Sequence, residues 1–223
     1  MKKVLILSGP THEYFDPVRF IGNASSGKMG KALAEEAIRR GMEVEFISGP
    51  VAEENLPNVD ATPSSHSDSR RNATRASRLH IQKVISAEEM LAAAKEKFSS
   101  ADFIIFAAAV ADYQPAKKSD AKLPKVGNSL TIELKPTPDI AATLCANKRK
   151  DQVAIGFALQ TYDGETKARE KLISKNLDGI VLNTPATLGA ESGLFTWIDK
   201  QGLENWGSLG KAECAKRILD KSG

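Results

Sequence analysis

Residues 27–48, GKMGKALAEEAIRRGMEVEFIS, decide the fold. Met29, Leu33 and Ala37 recur at four-residue spacing with Ile38 beside them, which puts an apolar stripe on one face of a helix over 27–40. Arg39 and Arg40 complement the negative end of the helix dipole, and Gly41 supplies the stop. Glu43–Ser48 then reads as a strand closed by Gly49-Pro50. Upstream, Lys3–Ser8 (KVLILS) is a short apolar run bounded by Gly9-Pro10, the pattern of a strand buried on both faces. Strand, helix and strand of these lengths make a βαβ unit with a right-handed crossover.

The alternation continues down the chain. Ile81–Ile85 reads as a strand, and Ser86-Ala-Glu-Glu89 as a capping box opening a helix over 87–98. Asp102–Ala108, Leu130–Leu134, Val153–Ala158 and Asp178–Leu182 are further strands. Thr137-Pro-Asp-Ile140 opens a helix with Thr137 as cap and Pro138 at the first helical position. Phe195–Asp199, a Lys200-Gln-Gly202 turn and the next strand form a hairpin before an amphipathic helix at about 209–220. The pattern is that of a three-layer, Rossmann-like α/β fold with a mostly parallel sheet and a C-terminal hairpin, residues 1–223 forming one domain.

Composition fits that fold: 26% charged and 41% apolar residues are ordinary for a soluble globular protein. A net charge of +3 is too small to argue for nucleic acid or a membrane surface. Cys145 and Cys214 have no metal-type spacing and read as reduced packing residues of a cytoplasmic protein. No apolar run approaches ~18 residues, and Met1-Lys2-Lys3 leads straight into the first strand, so neither a membrane span nor a targeting segment is expected. The stretch at about 60–80 interrupts the pattern. Ala61–Arg78 is rich in Ser, Thr, Asn, Asp and Arg and poor in apolar residues, and without interleaved aromatics it reads as a solvated insertion.

Chemistry concentrates in Asp16–Gly30, DPVRFIGNASSGKMG, an irregular loop running into the first helix. Arg19, Asn23, Ser25, Ser26, Gly27 and Lys28 supply several hydrogen-bond donors there. A helix start carries free N–H groups and the positive end of the dipole, so this loop suits a phosphate or carboxylate. Ser25 or Ser26 can cap the helix, which is also all that an ordinary capped helix would need. Ala107-Ala-Ala-Val-Ala-Asp112 follows a strand, where ligands of open α/β sheets bind; the small residues either admit a ligand to the backbone or serve close helix–strand packing, and Asp112 offers a carboxylate. Residues 114–128, with Lys117, Lys118, Lys122 and Lys125, read as a mobile basic flap. Lys167, Lys171 and Lys175 share one helix face, either merely solvated or turned to phosphate. The loop after the first strand is not G-x-G-x-x-G, which argues against a dinucleotide oxidoreductase. A P-loop, zinc ligands and a Ser–His–Asp partnership are missing as well.

In order, DPVRFIGNASSGKMG, SGPV (48–51), AAAVADYQP (107–115), the Lys122 region, PTPDI (136–140), GFALQT (156–161) and REKLISKNLD (169–178) closely resemble the bacterial phosphopantothenate–cysteine ligase family of coenzyme A biosynthesis. The resemblance covers nearly the whole chain apart from roughly 60–80. It implies ligation of 4′-phosphopantothenate to cysteine through an acyl-cytidylate formed from CTP, with Mg²⁺ carried largely by the nucleotide phosphates. It implies no flavin: where members are fused to a flavin-dependent decarboxylase, that half precedes the ligase, and this chain begins at the ligase's first strand. It also implies a homodimer, and a separate decarboxylase acting next. A nucleotide-binding regulatory protein of the same fold that has lost ligation is the competing class.

Residue by residue, the resemblance assigns Asn23 to the pantothenoyl and acyl-nucleotide portion, and Arg19 to the second half-reaction. Ser25, Ser26, Gly27, Lys28 and Ala108 fall at substrate positions. Ala108, Asp112, Lys122, Pro136, Thr137, Pro138, Asp139, Ile140, Phe157, Lys171 and Lys175 fall at nucleotide positions, and Lys122 matches the first Lys of the flap. Three positions depart from the common pattern: Pro124 replaces a basic flap residue, Gln160 stands where many members have Glu, and Gln114 where many have Arg.

Overall fold

The computed structural model describes residues 1–58, 78–125, 127–159, 163–187 and 189–221. Most of the expected insertion, and Gln160, lie outside the described residues. The elements run β1 (Lys3–Ser8), β2 (His12–Tyr14), β3 (Phe20–Gly22), α1 (Lys28–Arg39), β4 (Glu43–Ser48), β5 (Leu79–Lys83), α2 (Ala87–Phe98) and β6 (Phe103–Phe106). They continue with β7 (Tyr113–Pro115), β8 (Leu134–Pro136), α3 (Ile140–Cys145), β9 (Val153–Leu159), α4 (Gly164–Ser174), β10 (Gly179–Asn183), β11 (Ser192–Asp199), β12 (Leu203–Gly210) and α5 (Lys211–Asp220).

Among the described residues eight strands form one sheet in the order β12-β11-β10-β9-β6-β1-β4-β5. The six from β5 to β10 are parallel, and the β11/β12 hairpin closes the far edge antiparallel. Alternation along β1 explains the three layers. Val4 and Ile6 face the core under α1 and α5, while Leu5 and Leu7 face the core under α2 and α3. The core against α4 is built from Ala154, Ala158 and Ile180 with Ala168 and Leu172 of that helix. A strand buried on both faces needs the continuous apolar run that β1 has. Among the described residues, no helix is long and apolar enough to cross a membrane.

From β1 the chain first builds outward to β4 and β5, then returns to place β6 on the other side of β1. The order therefore reverses between β1 and β6, and a crevice opens beyond their C-terminal ends. The extended run after β6 is pinned there: Ala107 N–H donates to Leu7 O, Ala109 N–H to Gly9 O, and Ala111 N–H to the buried Thr11 Oγ1.

Several local expectations need correcting. Asp16–Gly30 is not wholly irregular, because it contains β3, which pairs with β2 just ahead of it. The run from Leu130 does not start a strand; Leu130 is exposed, and β8 begins only at Leu134, where it meets β7. Gln114 belongs to β7, is buried, and donates to Glu88 Oε1, so it turns away from the basic flap. The cap of α3 is Asp139, which accepts the Ala142 N–H; Thr137 instead donates to Ala111 O. Ser86 does cap α2 through the Glu89 N–H, but Glu89 reaches back to Ile85 N–H rather than to Ser86. Arg78, at the end of the expected insertion, precedes β5, its carbonyl accepting the Val44 N–H.

Candidate active site

Two adjoining chambers occupy the crevice. The larger, about 590 Å³, lies beyond β6 and β9 and is walled by the start of α3 and the end of α4. The smaller, about 150 Å³, lies over the start of α1. Ala108, Ala109, Phe157 and Leu159 line both, so the two meet along the end of β9 and the small-residue run.

The start of α1 is built differently from the expected serine cap. Gly27 is the N-cap, with φ 77°, and no side chain caps the helix. Ser25 Oγ accepts only the Gly27 N–H, at 3.4 Å. A left-handed cap residue favours glycine, and it leaves the first-turn N–H groups open to the smaller chamber. Gly30 brings the helix onto β1: a Cβ there would stand 2.0 Å from Ser8 Oγ. Gly30→Ala would gain about 1 kcal/mol in helix propensity elsewhere. Here overpacking wins, and the variant should lose about 1–3 kcal/mol, read as a lower denaturation midpoint.

Asn23 lines the larger chamber and clasps the small-residue run, Nδ2 donating to Val110 O at 2.9 Å and Ala109 O at 3.4 Å. Asn23, Ala108, Asp112, Thr137, Pro138, Asp139, Ile140, Phe157, Lys171 and Lys175 all line the larger chamber, so these positions, spread over some 150 residues of sequence, converge. Ser25, Ser26, Gly27, Lys28, Ala108 and Phe157 line the smaller one. Pro136 pairs with Tyr113 in the β7/β8 ribbon and does not line the cleft. Arg19 and Lys122 are not among the lining residues either. Lys167 is exposed and apart from the chamber, so only two of the three helix-face lysines reach it.

The larger chamber carries its cations on one wall. Lys175 Nζ lies 2.9 Å from Asp139 Oδ2. Burial opposes ionisation of Asp139, but the Ala142 N–H and Lys175 hold its carboxyl below the usual range. Burial, and then the charge of Lys175, push Lys171 below the ordinary lysine value of 10.5. A lysine so shifted loses its proton earlier as pH rises. Binding of inorganic triphosphate should therefore be strongest where Lys171 is protonated and weaken through a window opening below 10.5. Lys171→Gln should flatten that part of a calorimetric titration series; an unchanged profile counts against Lys171.

The smaller chamber adds residues that sequence reasoning missed. Asn183 ends β10, a position the strand-end rule could have flagged. Thr187 and Lys211 had no such signal. Lys211 is buried and donates to Thr187 O at 3.1 Å and to Ala190 O, which fixes the loop between β10 and β11 as the chamber wall. Lys28 pairs with Glu191 of the same loop. A separate cluster of Glu43, Glu45 and His80 lies on β4 and β5, where Lys3 already bridges both glutamates.

Fold and site together define an α/β domain of Rossmann-like type, with a two-chambered cleft at its switch point and an uncapped helix start facing one chamber. The chain belongs to the family described as the DNA/pantothenate metabolism flavoprotein C-terminal domain, which it matches over residues 1–222. Over 205 residues it is 40% identical to the coenzyme A biosynthesis bifunctional protein CoaBC of Bacillus subtilis, covering 90% of this chain and 46% of that one. It is 41% identical over 225 residues to a cysteine/cysteine sulfinic acid decarboxylase of an unknown prokaryotic organism, covering 99% of this chain and 57% of that one. The chain thus spans about half the length of these curated relatives. The crystal structure of the C-terminal domain of a CoaBC protein superposes with a TM-score of 0.77 at 36% identity, over 99% of this chain and 93% of that one.

Proposed function

We propose that this domain joins 4′-phosphopantothenate to L-cysteine through an acyl-cytidylate, as a step of coenzyme A biosynthesis. The observation that carries the reading is the meeting of the two chambers along Ala108, Ala109 and Phe157. The acyl-cytidylate carries one phosphate in the anhydride beside its reacting carbonyl and a second at the far end of the pantothenoyl arm, and the cleft offers lysines in one chamber and an open helix start in the other. In this reading the nucleotide takes the larger chamber, against Asp112, Thr137–Ile140, Phe157, Lys171 and Lys175. The phosphopantothenate arm takes the smaller one, its phosphate beside Ser25, Ser26, Gly27 and Lys28 at the open start of α1. The carboxylate then lies near Asn23 and Ala108.

The carboxylate attacks the α-phosphorus of CTP and expels pyrophosphate. The cysteine amine attacks the resulting acyl carbon, releasing CMP and forming the amide. No protein nucleophile is needed; the chain's part is to orient the groups and stabilise charge on the transferring phosphate. Mg²⁺ borne by the nucleotide phosphates would neutralise part of that charge. Asp139 is engaged by Lys175 and the Ala142 N–H, which leaves Asp112 at the rim as the carboxylate for such a cation. In this reading Lys122 reaches in from the flap that follows β7, and Arg19 serves the step after the intermediate forms. The reading includes one domain without flavin, a homodimer, and a decarboxylase, fused or separate, that consumes the product.

Incubation of purified protein with phosphopantothenate, cysteine, Mg²⁺ and each nucleoside triphosphate in turn should give pyrophosphate and amide, most readily with CTP. Nucleotide binding without amide under any condition would favour the regulatory reading instead.

A further inference from the structure

Arg19 and Lys122 stand outside the cleft, yet the structure ties them together through Asp16. The Asp16 side chain is wholly buried. Its Oδ1 accepts the N–H groups of Val18 at 2.9 Å and Arg19 at 2.8 Å. Its Oδ2 accepts Arg19 Nε at 2.8 Å, Arg19 Nη2, and the Leu123 N–H at 3.2 Å. Arg19 Nη2 also donates to Leu123 O at 2.7 Å. Both backbone groups of Leu123, the residue after Lys122, are therefore held by one ion pair from the stretch ahead of α1. A second tie runs nearby, from Ser119 N–H to Phe15 O at 3.0 Å.

These ties have a geometric consequence. β7 and β8 pair as a ribbon rooted at the cleft rim, where Thr137 N–H donates to Asp112 O, and the flap departs from the end of β7. Beyond β7, the contacts at Ser119 and Leu123 set where residues 119–123 lie. Charge-assisted hydrogen bonds are roughly twice as strong as neutral ones, so the Asp16–Arg19 pair is a firm anchor. The Arg19 guanidinium, then the N–H groups of Val18, Arg19 and Leu123, hold the Asp16 carboxyl well below the usual carboxylate range against the cost of burial.

We propose that Asp16 is a positioning residue: with Arg19 it moors the flap backbone at Leu123 and so sets where the neighbouring Lys122 stands relative to the cleft. Its effect on turnover rests on the reading that Lys122 meets the nucleotide's phosphates. Through the flap Arg19 then bears on the first step as well as on the step after the intermediate forms, its guanidinium being shared by Asp16 and Leu123 O.

Asp16→Asn tests this. The N–H groups of Val18 and Arg19 orient the amide oxygen toward themselves, so the amide N–H groups replace Oδ2 and face Arg19 and the Leu123 N–H. The turn is kept and the mooring is lost. Without any ligand, hydrogen exchange at the Leu123 amide should speed up by about tenfold or more, with β1 and β6 amides unchanged. Unaltered exchange at Leu123 overturns the proposal. A double-mutant cycle gives the second readout. Asp16→Asn should slow pyrophosphate release by about 10- to 100-fold when Lys122 is present, and by less than about threefold when Lys122 is already Gln. Losses that multiply, as a general structural role would give, also overturn it. Should Asp16→Asn fail to fold, Arg19→Lys keeps the charge but cannot form the fork, and the same two comparisons decide. If the unaltered protein releases no pyrophosphate at all, the functional reading falls while the exchange comparison still judges the mooring.

Discussion

Lys122→Gln is expected to slow pyrophosphate release, measured without cysteine, by about 10²–10³-fold, the usual cost of losing one charge-stabilising donor. Lys122 is exposed and absent from the cleft lining, so the folded protein does not depend on it and its melting temperature should hardly move. The loss should fall on kcat more than on nucleotide affinity. Lys171 and Lys175 already meet the bound nucleotide in this reading, whereas a flap cation gains most where charge builds during transfer. A pyrophosphate burst of normal rate in the variant would remove Lys122 from the first half-reaction.

Asn23→Asp should lower kcat/KM for ligation by about 10²-fold, a loss of the size a misplacement of about 1 Å can cause. The Asn23 amide donates to Val110 O and Ala109 O, clasping the stretch ahead of α1 to the small-residue run where the chambers meet. A carboxylate there turns an oxygen toward two carbonyl oxygens and opens the clasp. Because Asn23 is exposed, stability should change by no more than about 0.5 kcal/mol. Activity within a few-fold of the unaltered protein, at unchanged melting temperature, would show that the clasp is dispensable.

The sheet was legible because its strands carry the signature of burial on both faces, as Val4/Ile6 and Leu5/Leu7 do. The β2/β3 ribbon was not. In His12-Glu13-Tyr14 the fully buried residue is the glutamate, held by the Ala87 N–H, which inverts the pattern that marks a strand. Ser25 and Ser26 looked like caps because serine is the usual choice, but Gly27 takes a left-handed conformation that supplies the turn without them. The nucleotide-side residues were legible through local motifs that end strands or start helices. Thr187 and Lys211 were not, since only the packing of α5 against the β10–β11 loop brings them to the cleft. Arg19 stood out as a donor, but its partner Leu123 is 104 residues away, a pairing no local pattern carries.

Isotope transfer tests the central claim most directly. If the carboxylate attacks the α-phosphorus, phosphopantothenate labelled with ¹⁸O in its carboxylate must hand one labelled oxygen to CMP when cysteine displaces the acyl group. The account predicts one ¹⁸O in CMP for each amide formed, with none in pyrophosphate. Amide formed with unlabelled CMP, or with the label in inorganic phosphate beside a nucleoside diphosphate, would contradict it.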